Sequence, residues 1–143
     1  MKIEALGHVV VQVRDIKTSE AFYQGLLGMP VCAREPGKMS FFTLGNHHDF
    51  AILAVGKDAS GPDSEGVGLA HVAFKVGDSL DDLRAVKAEL DAAGVECLPI
   101  DHEVSLSLYC HDPDGNQVEL YVDVSDVWKE EPERVNKIVP LEL

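Results

Sequence analysis

The sequence of 143 residues lacks the features of a membrane protein. No apolar run approaches the roughly 20 residues that are needed to cross a bilayer. Glu4 and His8 interrupt the N-terminal apolar stretch, so we expect no targeting segment there. The chain also lacks a cluster of lysine or arginine, and its formal net charge is −13. Nucleic acid and anionic membranes are therefore excluded as expected partners, and the acidic residues are interpreted as a solvated surface.

Cysteine is scarce and irregularly spaced. Cys32, Cys97 and Cys110 are odd in number and form no C-x-x-C pattern. This usage indicates a reducing compartment, so we expect a cytoplasmic protein. The composition is 45% hydrophobic and 26% charged, which suits one soluble domain or two small modules that share a core.

Two segments of the chain repeat the same order of predicted elements, β-α-β-β-β. Residues 3–56 begin with the valine-rich strand GHVVVQVR, and residues 68–124 begin with the similar strand LAHVAFKV. Residues 57–67 between them are rich in glycine, serine, aspartate and proline, as is typical of a linker. Residues 125–143 form a charged tail, in which we expect Trp128 to pack back on the body.

The duplication predicts the fold class. Alignment of the two segments pairs His8 with His71 and places Ala51 opposite Glu119. Such a repeat predicts an α+β fold, in which two half-sheets, each covered by one helix, pair side by side. We expect the two modules to form one open curved mixed sheet, or half-barrel, around a cleft, so that residues 1–143 make a single domain. The second helix is expected to begin at Asp78 or Ser79.

Three strands direct one potential metal ligand each toward this cleft. Valines occupy the covered face of the first strand in each repeat, which leaves His8 and His71 on the opposite face. Strand alternation places Glu119 on that face too. Two imidazoles and one carboxylate form a facial triad, which suits Fe(II), with Mn(II) or another divalent ion as alternatives. Since Ala51 supplies no fourth ligand, the metal could take a bidentate substrate and a small gas molecule, or water for hydrolysis.

Three further polar residues are candidates for groups around the metal. His48 lies at the mouth of the strand DFAIL, and His102 and Tyr109 belong to the predicted hairpin that carries the carboxylate. A histidine titrates near neutrality and can move a proton, and a tyrosine can hold a substrate oxygen. His47 and His111 lack such support and are interpreted as solvent-facing or turn residues.

This pattern resembles the vicinal oxygen chelate superfamily, which includes glyoxalase I, bleomycin-resistance proteins and extradiol dioxygenases. The paired modules, with His8, His71 and Glu119, carry the resemblance over nearly the whole chain. By this resemblance these three residues hold Fe(II). The hairpin also resembles the signature of type I extradiol ring-cleavage dioxygenases. The matching positions are Ile100, His102, Leu108, Tyr109, Asp112, Pro113, Gly115 and Glu119.

The resemblance implies a catechol 2,3-dioxygenase-like enzyme of aromatic catabolism, in which O2 opens the ring of a catechol-type diol beside its hydroxyls. His48 resembles the general acid–base, and His102 and Tyr109 resemble groups that position substrate and handle protons. Many such enzymes have two double-module domains, whereas this chain has one. We therefore expect an adjacent subunit or the tail to complete the pocket, and a homo-oligomer, a dimer or larger.

Two alternatives remain open at the level of the sequence. One is another metal-dependent enzyme of the same fold, such as a glyoxalase-type lyase or an epimerase, which usually needs a further ligand or base where Ala51 stands. The other is a non-catalytic ligand-binding or resistance protein, which has no need for a complete metal triad.

Overall fold

A computed structural model describes residues 1–63 and 65–143. Ser64, which belongs to the predicted linker, lies outside the described residues. The chain divides into two compact units. The first comprises Met1–Pro62 with Pro113–Asn116, and the second comprises Asp63–Asp112 with Gln117–Leu143.

The first unit contains a four-stranded mixed sheet in the order β1-β4-β3-β2. Strands β1 and β4 run parallel, and the other neighbours run antiparallel. Helix α1 begins after Asp15, whose carboxylate accepts the Thr18 amide at 3.0 Å, and continues as a π-helical turn. The elements are β1 (Val9–Val13), α1 (Ile16–Glu20), the π-helical turn (Ala21–Leu26), β2 (Val31–Glu35), β3 (Met39–Phe42) and β4 (Phe50–Ala54).

Aromatic side chains form the centre of the first unit. Tyr23, Phe42 and Phe50 are fully buried and lie against one another, with ring centroids 4.8 to 6.1 Å apart. On β1, Val11 and Val13 are buried while their neighbours face outward. Buried and exposed residues therefore alternate along this strand, as the sequence predicted.

The second unit contains a five-stranded mixed sheet in the order β5-β8-β7-β6-β9. Strands β5 and β8 run parallel, as β1 and β4 do in the first unit. The elements are β5 (Val72–Gly77), α2 (Leu80–Ala92), β6 (Leu98–Asp101), β7 (Ser105–His111), β8 (Gln117–Asp123), two 3-10 turns (Val127–Lys129 and Pro132–Asn136) and β9 (Val139–Pro140). Both sheets are open within the described ranges, with β1 and β2 at the edges of the first and β5 and β9 at the edges of the second.

Helix α2 begins at the second of the two predicted positions. The Ser79 hydroxyl accepts the amide of Asp82 at 3.1 Å and donates to its carboxylate at 2.7 Å. Leu83 and Leu90 cover the sheet and are fully buried. The helix ends before Gly94, which adopts φ +73, a conformation that costs glycine little.

The strand registers relate the two units residue by residue. Val10 of β1 pairs with Ala51, and Ala73 of β5 pairs with Glu119. Ala51 therefore stands where Glu119 stands in the second unit, as the alignment of the repeats predicted. The α+β class and the β-α-β-β-β order of each repeat are confirmed. None of the described helices is long and apolar enough to span a membrane.

The C-terminal tail is attached to the second sheet by main-chain pairing. It adds β9 to the edge of β6, with Ile100 opposite Pro140 and Asp101 opposite Val139. Trp128 is 45% exposed, and its packing on the body stays a prediction. Main-chain pairing at a strand edge needs no large apolar side chain, which is why composition did not predict it.

Candidate active site

Glu119 is a buried carboxylate with partners on both oxygens. It lies on β8, where it follows Val118 and precedes Leu120 in the sequence, and only 8% of the residue is exposed. Ser107 Oγ donates to Oε1 at 2.6 Å, and His71 Nε2 lies 3.0 Å from Oε2. A buried carboxylate is costly unless it is paired or hydrogen-bonded, and these contacts supply that compensation.

His71 and Glu119 bring together two atoms that are able to coordinate a metal ion. His71 lies immediately before β5, and its ring packs edge-on against Tyr109 at 5.4 Å between centroids. An imidazole nitrogen beside a carboxylate oxygen suits a divalent ion of the Fe(II) or Mn(II) class. Among the residues that the structure describes, no group of three or more histidine, cysteine, aspartate or glutamate side chains is arranged to hold a metal ion.

Tyr109 stands directly across the strand pair from Glu119. Desolvation raises the pKa of Tyr109 to about 12, and the charge of Glu119 and a hydrogen bond to it act in the same direction. The phenol therefore keeps its proton at every pH at which the fold is expected to work. It can donate that proton to an acceptor and can still accept a hydrogen bond on its oxygen.

His102 lies in the turn between β6 and β7, where the strand pair brings it to Tyr109. Its Nε2 is 3.0 Å from Tyr109 Oη, and its Nδ1 is 2.7 Å from the main-chain oxygen of Lys137. A carbonyl oxygen can only accept, so Nδ1 carries a proton. In the neutral ring Nε2 is then an acceptor for the Tyr109 hydroxyl. His102 and Tyr109 are thus hydrogen-bonded to each other in the second unit.

Three histidines gather in the first unit. His8 lies immediately before β1, and its ring is 4.2 Å from that of His48 between centroids. The Nδ1 atoms of His47 and His48 are 2.7 Å apart. Desolvation lowers the pKa of His48, the charges of His8 and His47 lower it further, and Asp49 opposes them. His48 is therefore neutral near pH 7 and can accept a proton.

Two residues of these clusters escaped the sequence analysis. His47 is exposed as expected, but it contacts His48 and lowers its pKa. The contact could have been inferred from the sequence because His47 and His48 are adjacent in the run HHD. Ser107 is fully buried against Glu119, and its place two residues before Tyr109 in VSLSLY was the available signal.

Comparison with known proteins identifies the family. Residues 5–120 match the model of the Glyoxalase/Bleomycin resistance protein/Dioxygenase superfamily. The chain belongs to this superfamily. Biphenyl-2,3-diol 1,2-dioxygenase 3 of Rhodococcus globerulus is 35% identical over 127 residues, which are 82% of this chain and 63% of that protein. The superfamily member described here thus spans about three fifths of the length of that dioxygenase.

Superfamily members with other activities are also similar to this chain. Lactoylglutathione lyase of Neisseria meningitidis serogroup A is 27% identical over 124 residues, covering 80% of this chain and 88% of the lyase. Among solved structures, a glyoxylase/bleomycin resistance protein/dioxygenase domain from Frankia sp. EAN1pec superposes with a TM-score of 0.69 at 24% identity. The match covers 86% of this chain and 100% of the Frankia domain, and it establishes the fold.

Proposed function

We propose that this superfamily member is an extradiol dioxygenase, which uses O2 to cleave the ring of a catechol-type aromatic diol at a non-haem Fe(II) centre. The observation that carries the proposal is the hydrogen-bonded pair of His102 and Tyr109 beside the pair of His71 and Glu119. The similarity to a biphenyl-2,3-diol dioxygenase supports the same substrate class. Both atoms of O2 enter the ring-opened product, so the reaction needs no external reductant.

The proposed metal ligands are His8, His71 and Glu119, with Mn(II) or another divalent ion as the alternative to Fe(II). When bound, the ion would bring the two diol oxygens and O2 together and relay electron density between them. Ser107 keeps one oxygen of Glu119 engaged, so the carboxylate presents its other oxygen toward His71. Outer partners of this kind orient ligands and are part of a metal site.

The proposed proton handling divides between the two units. In the first, His48 has a lowered pKa and is the base that takes a proton from a substrate hydroxyl. In the second, Tyr109 stays protonated, and its oxygen accepts a hydrogen bond from a substrate hydroxyl. His102 accepts from Tyr109 and fixes the orientation of that phenol. The roles of His48 and Tyr109 each use the protonation state that the surroundings of the residue favour.

The proposal is tested by turnover on a panel of diols. The protein is loaded with Fe(II) without oxygen, its iron content is measured, and catechol and 2,3-dihydroxybiphenyl are added with O2. We expect a yellow ring-fission product and the uptake of one O2 for each diol consumed. The absence of turnover at full iron occupancy across the panel would overturn the proposal. The mass of the active species in solution tests the expected homo-oligomer.

A glyoxalase-type lyase is the second candidate, because the chain covers 88% of the length of the Neisseria lactoylglutathione lyase. The register of the first sheet weighs against it. Ala51, which stands at the position equivalent to Glu119, is fully buried and offers no ligand atom. Formation of lactoylglutathione by the metal-loaded protein, together with inactivity on the diols, would favour the lyase.

A further inference from the structure

The last part of the tail is attached to the turn that carries His102. We name residues 131–140 the C-terminal strap. Arg134 Nη1 lies 2.7 Å from Glu103 Oε1, and Lys137 Nζ lies 3.3 Å from Asp101 Oδ2. Strand β9 continues the attachment by pairing with β6. The strap is therefore bound to the residues on both sides of His102 by two ion pairs and by the main-chain pairing of β9 with β6.

The strap also contacts His102 itself. The main-chain oxygen of Lys137 lies 2.7 Å from His102 Nδ1, and the other ring nitrogen faces Tyr109 Oη at 3.0 Å. The turn is further constrained at Glu103, which adopts φ +68 and donates its amide to the Asp101 carboxylate. A non-glycine residue in this conformation needs surrounding contacts to hold it, and the Arg134 ion pair is one of them.

The contact decides which tautomer His102 adopts. A carbonyl oxygen cannot donate, so it selects the ring with hydrogen on Nδ1 and leaves Nε2 as an acceptor. The Tyr109 proton then has two acceptors within reach, His102 Nε2 and the Glu119 carboxylate. In the opposite tautomer Nε2 would donate to the phenol oxygen, and the Tyr109 proton could go only to Glu119.

We propose that the C-terminal strap is a positioning element of the active site, in which the Lys137 carbonyl holds His102 as the Nδ1–H tautomer and so makes Nε2 the acceptor for the Tyr109 hydroxyl. The strap acts through His102 and touches no reacting atom. Its consequence for turnover rests on the proposed dioxygenase function, whereas the tautomer itself does not.

The tautomer is measured in metal-free protein labelled with 15N-histidine, by long-range 1H–15N spectra that distinguish protonated from unprotonated ring nitrogens. The test variant is Arg134→Gln with Lys137→Gln, which removes the two ion pairs that join the strap to Glu103 and Asp101. The control is Arg84→Gln with Lys129→Gln, which changes the net charge equally. It removes the local ion pairs of Arg84 with Asp81 and of Lys129 with Asp126.

We expect His102 to be the Nδ1–H tautomer in the wild-type and control proteins and to gain a substantial Nε2–H population in the strap variant. Lys137→Gln alone keeps the ion pair of Arg134 with Glu103 and disturbs the fold less than the double variant. It should give a smaller increase in the Nε2–H population of His102. The conservative variant Arg134→Lys with Lys137→Arg should restore the wild-type spectrum. An Nδ1–H ring that persists in both strap variants, or an Nε2–H ring in the wild type, would overturn the proposal.

Turnover of the Fe(II)-loaded proteins gives the second readout. Misplaced catalytic groups cost on the order of 10-fold to 100-fold in rate. We expect a loss of that size in kcat for the strap variant, with KM nearly unchanged and the control variant fully active. A tautomer shift without any turnover in the wild type refutes the dioxygenase function and leaves the strap assignment standing. A tautomer shift with unchanged kcat refutes the catalytic role of the strap.

Discussion

Ser107 donates its hydroxyl to one oxygen of Glu119 at 2.6 Å, and the serine is fully buried. The contact leaves the other carboxylate oxygen to face His71. Outer hydrogen bonds to a ligating carboxylate typically contribute about 10-fold to 100-fold in metal affinity. Ser107→Ala should therefore weaken Fe(II) binding by about 10-fold, as measured by anaerobic titration calorimetry. Ser105→Ala, on the same strand but without this contact, is the control, and equal affinity in both variants would contradict the role of Ser107.

Variants of His8 and His48 should separate metal binding from proton transfer. His8→Ala removes a proposed ligand and should abolish stoichiometric iron binding. His48→Phe keeps a ring of similar shape but cannot accept a proton, so it should retain iron and lose turnover by about 10²-fold or more. Metal analysis and the O2-uptake assay on the same preparations check both results. The exposed His111, replaced by alanine, is the control, and full activity of His48→Phe would show that the acid–base assignment is wrong.

Much of this arrangement could be predicted because strand alternation ties residues to faces. Val118, Leu120 and Val122, at alternate positions of β8, are fully buried, and the repeat identified Ala51 as the counterpart of Glu119. Such periodic patterns can be recognised in a single sequence because the apolar residues themselves mark the buried positions.

Other features depend on contacts that no local pattern contains. Ser107 is a polar residue in a polar–apolar alternation, so its burial follows from the neighbouring Glu119 and not from its own hydropathy. The two residues of β9 are too few to carry a period, and their pairing with β6 comes from the main chain. The role of the Lys137 carbonyl is independent of the side chain and could not be predicted from residue identity.

The pKa of His48 should respond to its neighbour. Desolvation is the largest cause of the lowered pKa, and the charge of His47 is one of the smaller causes. His47→Gln removes that charge, so the pKa of His48 should rise but stay below the ordinary histidine value. Titration of metal-free protein by 1H–15N spectra measures the change, and His111→Gln in the second unit is the control. An unchanged or lowered pKa in His47→Gln would contradict the coupling.

The stability of the metal-free protein should fall at high pH because of Tyr109. The pKa of this residue in the folded protein is about 12, above the value of 10.0 for an ordinary tyrosine. The folded state therefore holds the proton more tightly than the unfolded state. Its contribution to stability is fully present below about pH 10 and is lost as the pH rises toward 12. Denaturant unfolding at a series of pH values should show a steeper loss for the wild type than for Tyr109→Phe, and parallel curves would refute the assignment.

Gly77, at the end of β5, is the position among the described glycines at which an added Cβ would make the shortest contact. It lies at the irregularity in the pairing of β5 with β8, and a Cβ at this position would collide with the Cβ of Asp82. Asp82 cannot move freely, because its carboxylate accepts the Asp78 amide at 3.0 Å and the Ser79 hydroxyl at 2.7 Å at the start of α2. Gly77→Ala must therefore displace the strand or break the helix cap.

We expect Gly77→Ala to lower the free energy of unfolding by about 1–3 kcal/mol, the usual cost of forcing a carbon atom into an occupied position. Chemical denaturation of metal-free protein measures the loss without reference to catalysis. Gly68→Ala is the matched control, since a Cβ there meets nothing within 4 Å. The comparison removes the general effect of replacing glycine on the unfolded chain, because both variants share it. Equal stability of the two variants would mean that the cap and the strand yield together, so that the contact between Gly77 and Asp82 does not constrain the fold.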